Sequence, residues 1–143
     1  MKELDRAVKA LHQGEYTCVL CDRDRVMTSR KTGIAPLVQW LTEGEDLRGA
    51  CVADRIIGKA AAMLLLSGGA VAVYGQVMSE TALALLQEAG VETRYGVLTP
   101  MIRNRTNTGI CPMEQAVAGL TNPADALPAI LKKLRQLREQ ASN

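Results

Sequence analysis

The strongest constraint on the fold is a pattern of two apolar strands with one helix between them. Residues 70–74 form a continuous apolar run, Ser79 can cap a helix over residues 80–88, and Gly90 ends that helix before the β-rich segment 91–95. A strand, a helix and a strand at this spacing predict two parallel strands joined by a crossover helix. We therefore expect an α/β fold with a parallel unit.

The N-terminal part predicts a helix followed by an antiparallel hairpin. Apolar residues within 2–13 have helical spacing, and residues 16–21 and 25–29 are β-rich segments on either side of a turn. Three further segments have helical patterns: residues 36–41, 51–66 and 124–140. Together the elements predict one domain over residues 1–143, a three-layer α/β/α sandwich whose mixed sheet begins with the N-terminal antiparallel hairpin.

Composition limits the classes of function. The net charge is only +2, and the basic residues are spread along the chain, so nucleic-acid binding is not favoured. The longest apolar stretch, residues 60–74, is broken by Ser67, Gly68 and Gly69 and is too short for a membrane span. The chain starts without a signal peptide and has four cysteines, which favours a cytoplasmic protein with reduced thiols.

Residues 104–114 contain most of the chemistry that this chain could perform. Pro112 fits the first position of a helix, so Cys111 falls at the N-cap and Glu114 lies three residues later, as in a capping box. The start of a helix favours a thiolate, which makes Cys111 a candidate nucleophile; a small buried residue or an incidental cap is the alternative. The adjoining stretch suits an anion-binding loop, with four candidate residues: Arg103, Arg105, Thr108 and Gly109.

A nucleophilic thiol needs activation, and the sequence offers no obvious base for it. The only histidine, His12, belongs to the first predicted helix, far away in sequence. Lys59 or the helix dipole would have to activate Cys111 instead.

A second polar group lies in the first turns of the predicted 51–66 helix. Its five members would span roughly 140° of one helix face: Cys51, Asp54, Arg55, Gly58 and Lys59. The group is either a solvated helix end or a ligand site, in which the glycine would let a ligand come close.

The pair Cys18 and Cys21 invites a zinc or redox interpretation, but residues three apart on a strand point to opposite faces. No second pair completes a set of four ligands, so neither a metal nor another cofactor is predicted.

Three segments resemble, in the same order, a prokaryotic domain-of-unknown-function family that is placed in the cytidine-deaminase-like superfamily: residues 53–62, 77–80 and 108–114. Deaminases of that superfamily hold zinc with a His or Cys before Ala-Glu at one helix start, and with Pro-Cys-x-x-Cys at the next. The resemblance places residues 52–54 and 77–80 at these two motifs, and neither motif is intact. It therefore implies the fold and a pocket at the helix starts, without zinc-dependent deamination.

The leading hypothesis is a zinc-free deaminase-like domain that binds a nucleotide or another phosphate-bearing small molecule. Lys59, Arg103 and Arg105 would contact phosphate, Asp54 would accept a hydrogen bond or act in catalysis, and Cys111 would contact the ligand. The remaining candidate ligand-binding residues are Arg55, Gly58, Ser79, Glu80, Thr108, Gly109 and Glu114.

Two alternatives stay open, and with them the question whether the chain is an enzyme. One is a thiol-based transfer reaction through a covalent intermediate on Cys111. The other is a non-catalytic accessory protein, whose exposed Leu127, Leu131 and Leu134 would dock a partner or a second copy in a homodimer.

Overall fold

The computed structural model describes residues 2–104 and 106–142. Within them one mixed sheet has the strand order β2-β1-β3-β4-β5. The strands are β1 Cys18–Cys21, β2 Val26–Ser29, β3 Cys51–Ile57, β4 Ala72–Ser79 and β5 Glu92–Thr99. The helices are α1 Lys2–Gln13, α2 Ala35–Thr42, α3 Lys59–Gly68, α4 Glu80–Glu88, α5 Pro112–Val117 and α6 Ala126–Ser142, with a short 3₁₀ turn Pro123–Asp125 before α6.

The strands combine two kinds of pairing. β4 pairs with β5 in parallel across α4, which confirms the predicted crossover, and β3 pairs with β4 in parallel across α3. β1 and β2 form an antiparallel pair, as predicted, although both strands are shorter than the sequence indicated. β1 also pairs antiparallel with β3, so the hairpin is continuous with the parallel strands rather than attached beside them.

The helix predicted over residues 51–66 is wrong in its first half. Residues 51–57 form β3, and α3 begins only at Lys59. β3 lies between β1 and β4 and is buried on both faces, so its sequence is apolar nearly all round, as in a buried helix. Of the residues expected on one helix stripe, Asp54 and Arg55 therefore point to opposite faces of a strand, while Gly58 and Lys59 lie beyond its end.

Helices flank both faces of the sheet. Leu4, Ala7 and Leu11 of α1 pack against one face, over Val19 and Ala53. The other helices pack against the opposite face around α3, in a larger core whose members include Leu20, Val52, Met63, Val73 and Ile130. We call these the α1 face and the α3 face.

Strands β3 and β4 each switch faces once near the carboxyl end. Val52 and Ile57 are five residues apart, yet both belong to the core on the α3 face, and the same holds for Val73 and Met78. Strict alternation would put the members of each pair on opposite faces. The pairing of β3 with β4 and of β4 with β5 omits three residues at this step: Arg55, Gln76 and Gly96.

The leucines of α6 are partly covered, whereas the accessory hypothesis expected them to be exposed. Leu127, Leu131 and Leu134 are half-buried and pack against the core on the α3 face. Their spacing is that of a core-facing helix stripe, which sequence alone does not distinguish from a docking stripe. None of the helices in residues 2–104 and 106–142 is long and apolar enough to cross a membrane.

Candidate functional site

Three helices start at the carboxyl edge of the parallel strands. Gly58 is the N-cap of α3, Ser79 is the N-cap of α4, and Cys111 is the N-cap of α5. In open parallel sheets, ligands bind most often at this edge. A ligand site at this edge would lie beside these three helix starts.

Glu114 caps α3 rather than its own helix. Its Oε1 accepts a hydrogen bond from Lys59 N at 2.7 Å, and its Oε2 accepts one from Ala60 N at 2.7 Å. The N-cap Gly58 has no side chain that could make these bonds. A carboxylate on the first N–H groups of a helix satisfies two donors and also interacts favourably with the helix dipole. The chain thus places its own anion where the sequence suggested a phosphate.

The contacts of Gly58 and Lys59 also connect α3 to α5. A Cβ added to Gly58 would collide with the Glu114 carboxylate and would lie 2.8 Å from Ile102 Cγ1. The Lys59 ammonium donates a hydrogen bond to the carbonyl of Ala118, at the end of α5, at 2.9 Å. Gly58 therefore leaves room for Glu114, and Lys59 binds the opposite end of the same short helix.

Arg55 lies on the α1 face, away from Lys59. Its guanidinium donates to Leu11 O at 2.6 Å, to Tyr16 O at 3.0 Å and to Gln76 Oε1 at 2.9 Å. Leu11 is in the last turn of α1, where carbonyl groups lack helical partners. Arg55 thus fastens the end of α1 to β3.

Asp54 is only 3% exposed and points toward the α3 face, where Cys18 lies opposite it on β1. Its Oδ1 accepts a hydrogen bond from Ile56 N at 3.3 Å. Burial raises the pKa of Asp54 to about 7, and bonds from the Ile56 backbone and Cys18 only partly offset this effect. Burial and then the Asp54 charge raise the pKa of the Cys18 thiol well above its usual value.

The loop before α5 folds back on itself. Arg103 forms an isolated bridge with Ile110, and Asn104 N donates to Gly109 O at 2.9 Å. The Asn104 side chain accepts from Thr108 N at 2.9 Å and donates to Thr108 Oγ1 at 3.2 Å. The loop therefore uses many of its own donors, while the Arg103 side chain is exposed. Arg105 lies outside the described residues.

Cys111 takes the predicted N-cap position and is partly exposed, whereas Cys18, Cys21 and Cys51 are buried. It has no side-chain capping bond. His12 contacts the Tyr74 hydroxyl group through Nε2 at 3.3 Å, at the end of α1. The only histidine thus lies against the α1 face, to which Tyr74 belongs, and not beside α5.

The two deaminase-type motif positions fall in different places. Residues 77–80 cover the end of β4 and the start of α4, where Ser79 Oγ accepts from Ala82 N at 3.1 Å and Glu80 is exposed. Residues 52–54 lie inside β3, so the helix start expected there is wrong. The cause is the misassigned helix over residues 51–66, which put residues 52–54 at a helix start.

Neither of the two best-formed surface depressions in the described part of the chain is lined by Gly58, Ser79 or Cys111, the N-caps at the carboxyl edge. One surface depression, of about 430 Å³, is lined by Leu131, Leu134, Arg135 and Arg138 of α6. Another, of about 460 Å³, lies at the opposite end of the sheet, beside Cys51 and Val71. Among the same residues, no group of three His, Cys, Asp or Glu side chains could hold a metal ion.

Comparison with known proteins identifies the family. Residues 6–134 match the family described as TM1506, domain of unknown function (DUF1893). The chain belongs to the DUF1893 family. A crystal structure of a DUF1893 family protein (TM1506) from Thermotoga maritima is similar to it, with a TM-score of 0.83 and 26% identity over 92% of this chain and 90% of that one. No curated protein matches the chain.

One feature of this DUF1893 domain was missed by reasoning from sequence, namely a group of exposed apolar side chains around β5. We call it the β5 surface; its members are 37–58% exposed and are Ile56, Tyr95, Val97, Leu98, Met101 and Ile110. The available signal was the apolar pair Val97-Leu98, which lies beyond the predicted strand 91–95 and extends it in the structure.

Removal of the Glu114 carboxylate should destabilise the fold. Because two N–H groups at the start of α3 would lose their acceptor, we expect Glu114→Ala to lower the free energy of unfolding by about 1–3 kcal/mol. Gly58→Ala should cost a similar amount through its collision with the carboxylate. The measurement is urea unfolding of both single variants and the double variant. Gly119→Ala is the control, since a Cβ there meets no atom within 4 Å.

The two substitutions should be less than additive, because Glu114→Ala removes the group with which the new Cβ collides. Fully additive costs would show that the carboxylate does not occupy the space beside Gly58.

Asp54 should make stability depend on pH. Its pKa is about 7 in the folded chain and about 3.9 when unfolded, so between these values only the folded state holds the proton. The free energy of unfolding should therefore fall as pH rises from about 4 to about 7, by up to roughly 1.4 kcal/mol per pH unit from this group. Asp54→Asn should remove that contribution in urea unfolding at several pH values.

Asp125→Asn, at an exposed position, serves as the comparison and should retain the slope of the unmodified chain. An unchanged slope in Asp54→Asn would mean that Asp54 is ionised throughout this pH range.

Proposed function

We propose that this chain is a non-catalytic interaction domain with a cytidine-deaminase-like scaffold, and that it binds a protein partner along the β5 surface. The observation that carries the proposal is the grouping of six exposed, large apolar side chains around one edge strand. Large apolar side chains that are exposed together in this way mark interaction sites.

The contacts at the predicted site support a non-catalytic role. Lys59 and Glu114 bind the backbone of neighbouring helices, Arg55 binds the backbone at the end of α1, and Asp54 is buried beside Cys18. Each of these groups has a contact within the chain that explains its presence. A catalytic site instead needs groups that converge on a space for the substrate.

Two observations support the deaminase-like part of the proposal. The resemblance of residues 53–62, 77–80 and 108–114 is accompanied by a mixed sheet with one antiparallel hairpin and three parallel strands. Residues 77–80 also lie at a helix start, as the resemblance implies. A scaffold that has lost its metal ligands can keep its stability, because its core is formed by apolar side chains.

Site-specific photo-crosslinking tests the interaction surface. Val97→p-benzoylphenylalanine places a reactive group on the β5 surface, and Val26→p-benzoylphenylalanine is a matched control on the other edge strand, at 50% exposure against 58% for Val97. We expect irradiation of native extract to give a discrete adduct from position 97 only, identified by mass spectrometry. Equal or absent labelling from the two positions would remove the proposal.

A second candidate function is the binding of a nucleotide or another phosphate-bearing molecule near Arg103. It is favoured by the exposure of Arg103, for which no ion pair or side-chain hydrogen bond is found within the described residues, next to the loop that leads to Cys111. Titration with inorganic phosphate and nucleoside triphosphates, followed by calorimetry, should show binding that Arg103→Ala weakens by about tenfold. Arg23→Ala, exposed at the other end of the sheet, should leave the affinity unchanged. Heat changes equal to those of dilution would exclude this function.

A thiol-transfer reaction through Cys111 is the remaining proposal. It is supported by the partial exposure of Cys111 at the start of α5, in contrast with the three buried cysteines. Activation would have to come from the helix start, since Lys59 is bonded to Ala118.

A further inference from the structure

We infer that the partner on the β5 surface is a second copy of this chain, and that the two β5 strands pair antiparallel across a twofold axis to form one continuous sheet. The inference rests on the proposed function, because it names the occupant of the surface proposed there. Three observations carry it: the unpaired backbone of β5, the exposure of apolar side chains on both of its faces, and its pattern of charge.

The outer edge of β5 has no neighbour. β5 is the terminal strand of the sheet, and its eight residues extend about 26 Å at about 3.3 Å per residue. β4 occupies its inner edge and α4 packs beside it. In the described ranges no backbone hydrogen bond from another element reaches its outer edge. A row of free N–H and C=O groups is a template for another strand.

Natural edge strands carry features that prevent such pairing, and in β5 they are confined to the charged residues of its first half and to the irregular step at Gly96. Short length, lysine, proline or a covering element are the usual protections. The opposite edge, β2, has only four residues. In β5 the segment 95–99 contains neither a charged residue nor a proline. The cation Arg94 lies in the first half of the strand, where it pairs with Asp5 at 2.6 Å and with Glu92 at 3.6 Å.

Apolar side chains are exposed on both faces of β5. Val97 aligns with Val77 and Ile56, while Leu98 aligns with Met78, which is in the core of the α3 face. Val97 and Leu98, as neighbours in a strand, point to opposite faces. A partner that docked on one face would cover only one of them. A strand added beside β5 would contact both, which favours pairing at the edge.

The same strand in a second copy is a complementary occupant. In an antiparallel pair, the charged half with Glu92 and Arg94 lies beside the uncharged half of the other copy, so no like charges oppose each other. An isologous contact of this kind closes after two copies.

Sedimentation velocity of the purified chain, from micromolar to submillimolar concentration, tests the inference. We expect a concentration-dependent dimer for the unmodified chain and for Val26→Lys, and a dimer weakened by about tenfold or more for Val97→Lys. Both valines are about half exposed on edge strands, so both variants should fold, as circular dichroism will verify. A monomer at every concentration, or a dimer that Val97→Lys leaves intact, would overturn the inference.

Hydrogen exchange separates β5 pairing from other modes of association. Amides in residues 95–99 should gain protection as concentration rises, and Val97→Lys should abolish that gain. A dimer without this protection, or one that dissociates in a folded Leu131→Asp variant instead, would show that the copies meet elsewhere and would refute β5 pairing.

Photo-crosslinking distinguishes a failure of self-pairing from a failure of the proposed interaction domain. An adduct from position 97 with a different protein, together with a monomeric purified chain, would refute self-pairing while the interaction domain stands. Absence of both the adduct and the dimer would refute both.

Discussion

The carboxylate of Glu114 on the first N–H groups of α3 is the interaction on which the carboxyl edge of the sheet depends. The N-cap of α3 is Gly58, which has no side chain that could cap the helix. α5 has only six residues, a length at which a helix is not stable in isolation. The Glu114 carboxylate supplies the cap that α3 lacks, and the Lys59 ammonium binds the carbonyl at the end of α5. These bonds hold α5 against α3, and this fixes where the chain must return after β5.

The sequence predicted those features whose signals are local. Ser79 and Gly90 mark both ends of α4, and the apolar run before Ser79 marks β4, so the parallel crossover followed directly. Glu114 shows the limit of local reasoning. Its spacing from Cys111 fits a capping box of its own helix equally well, but its true partners, Lys59 and Ala60, are more than fifty residues away. Only the packing of α5 on α3 decides between these two roles.

The assignment of residues 51–57 to a helix instead of a strand explains why the structure does not bring the candidate site residues together. On a helix, Asp54, Arg55 and Lys59 would have shared one stripe and could have met one ligand. On a strand followed by a helix, Asp54 faces Cys18, Arg55 reaches the end of α1, and Lys59 reaches α5. Apolar periodicity does not distinguish a buried helix from a strand buried on both faces. A cluster of charged residues that is inferred from such a helix therefore disappears when the segment is a strand.

Two members of the β5 surface, Ile56 and Val97, lie just beyond the switch of faces in the strands. Arg55 and Gln76 lie at the end of α1. The next row across the sheet consists of Ile56, Val77 and Val97, and α1 does not cover it. An isolated chain would gain solubility from polar residues in this row, at no cost to its core. At the free edge of the sheet, an added strand would remove Val97 from water on one face and Leu98 on the other.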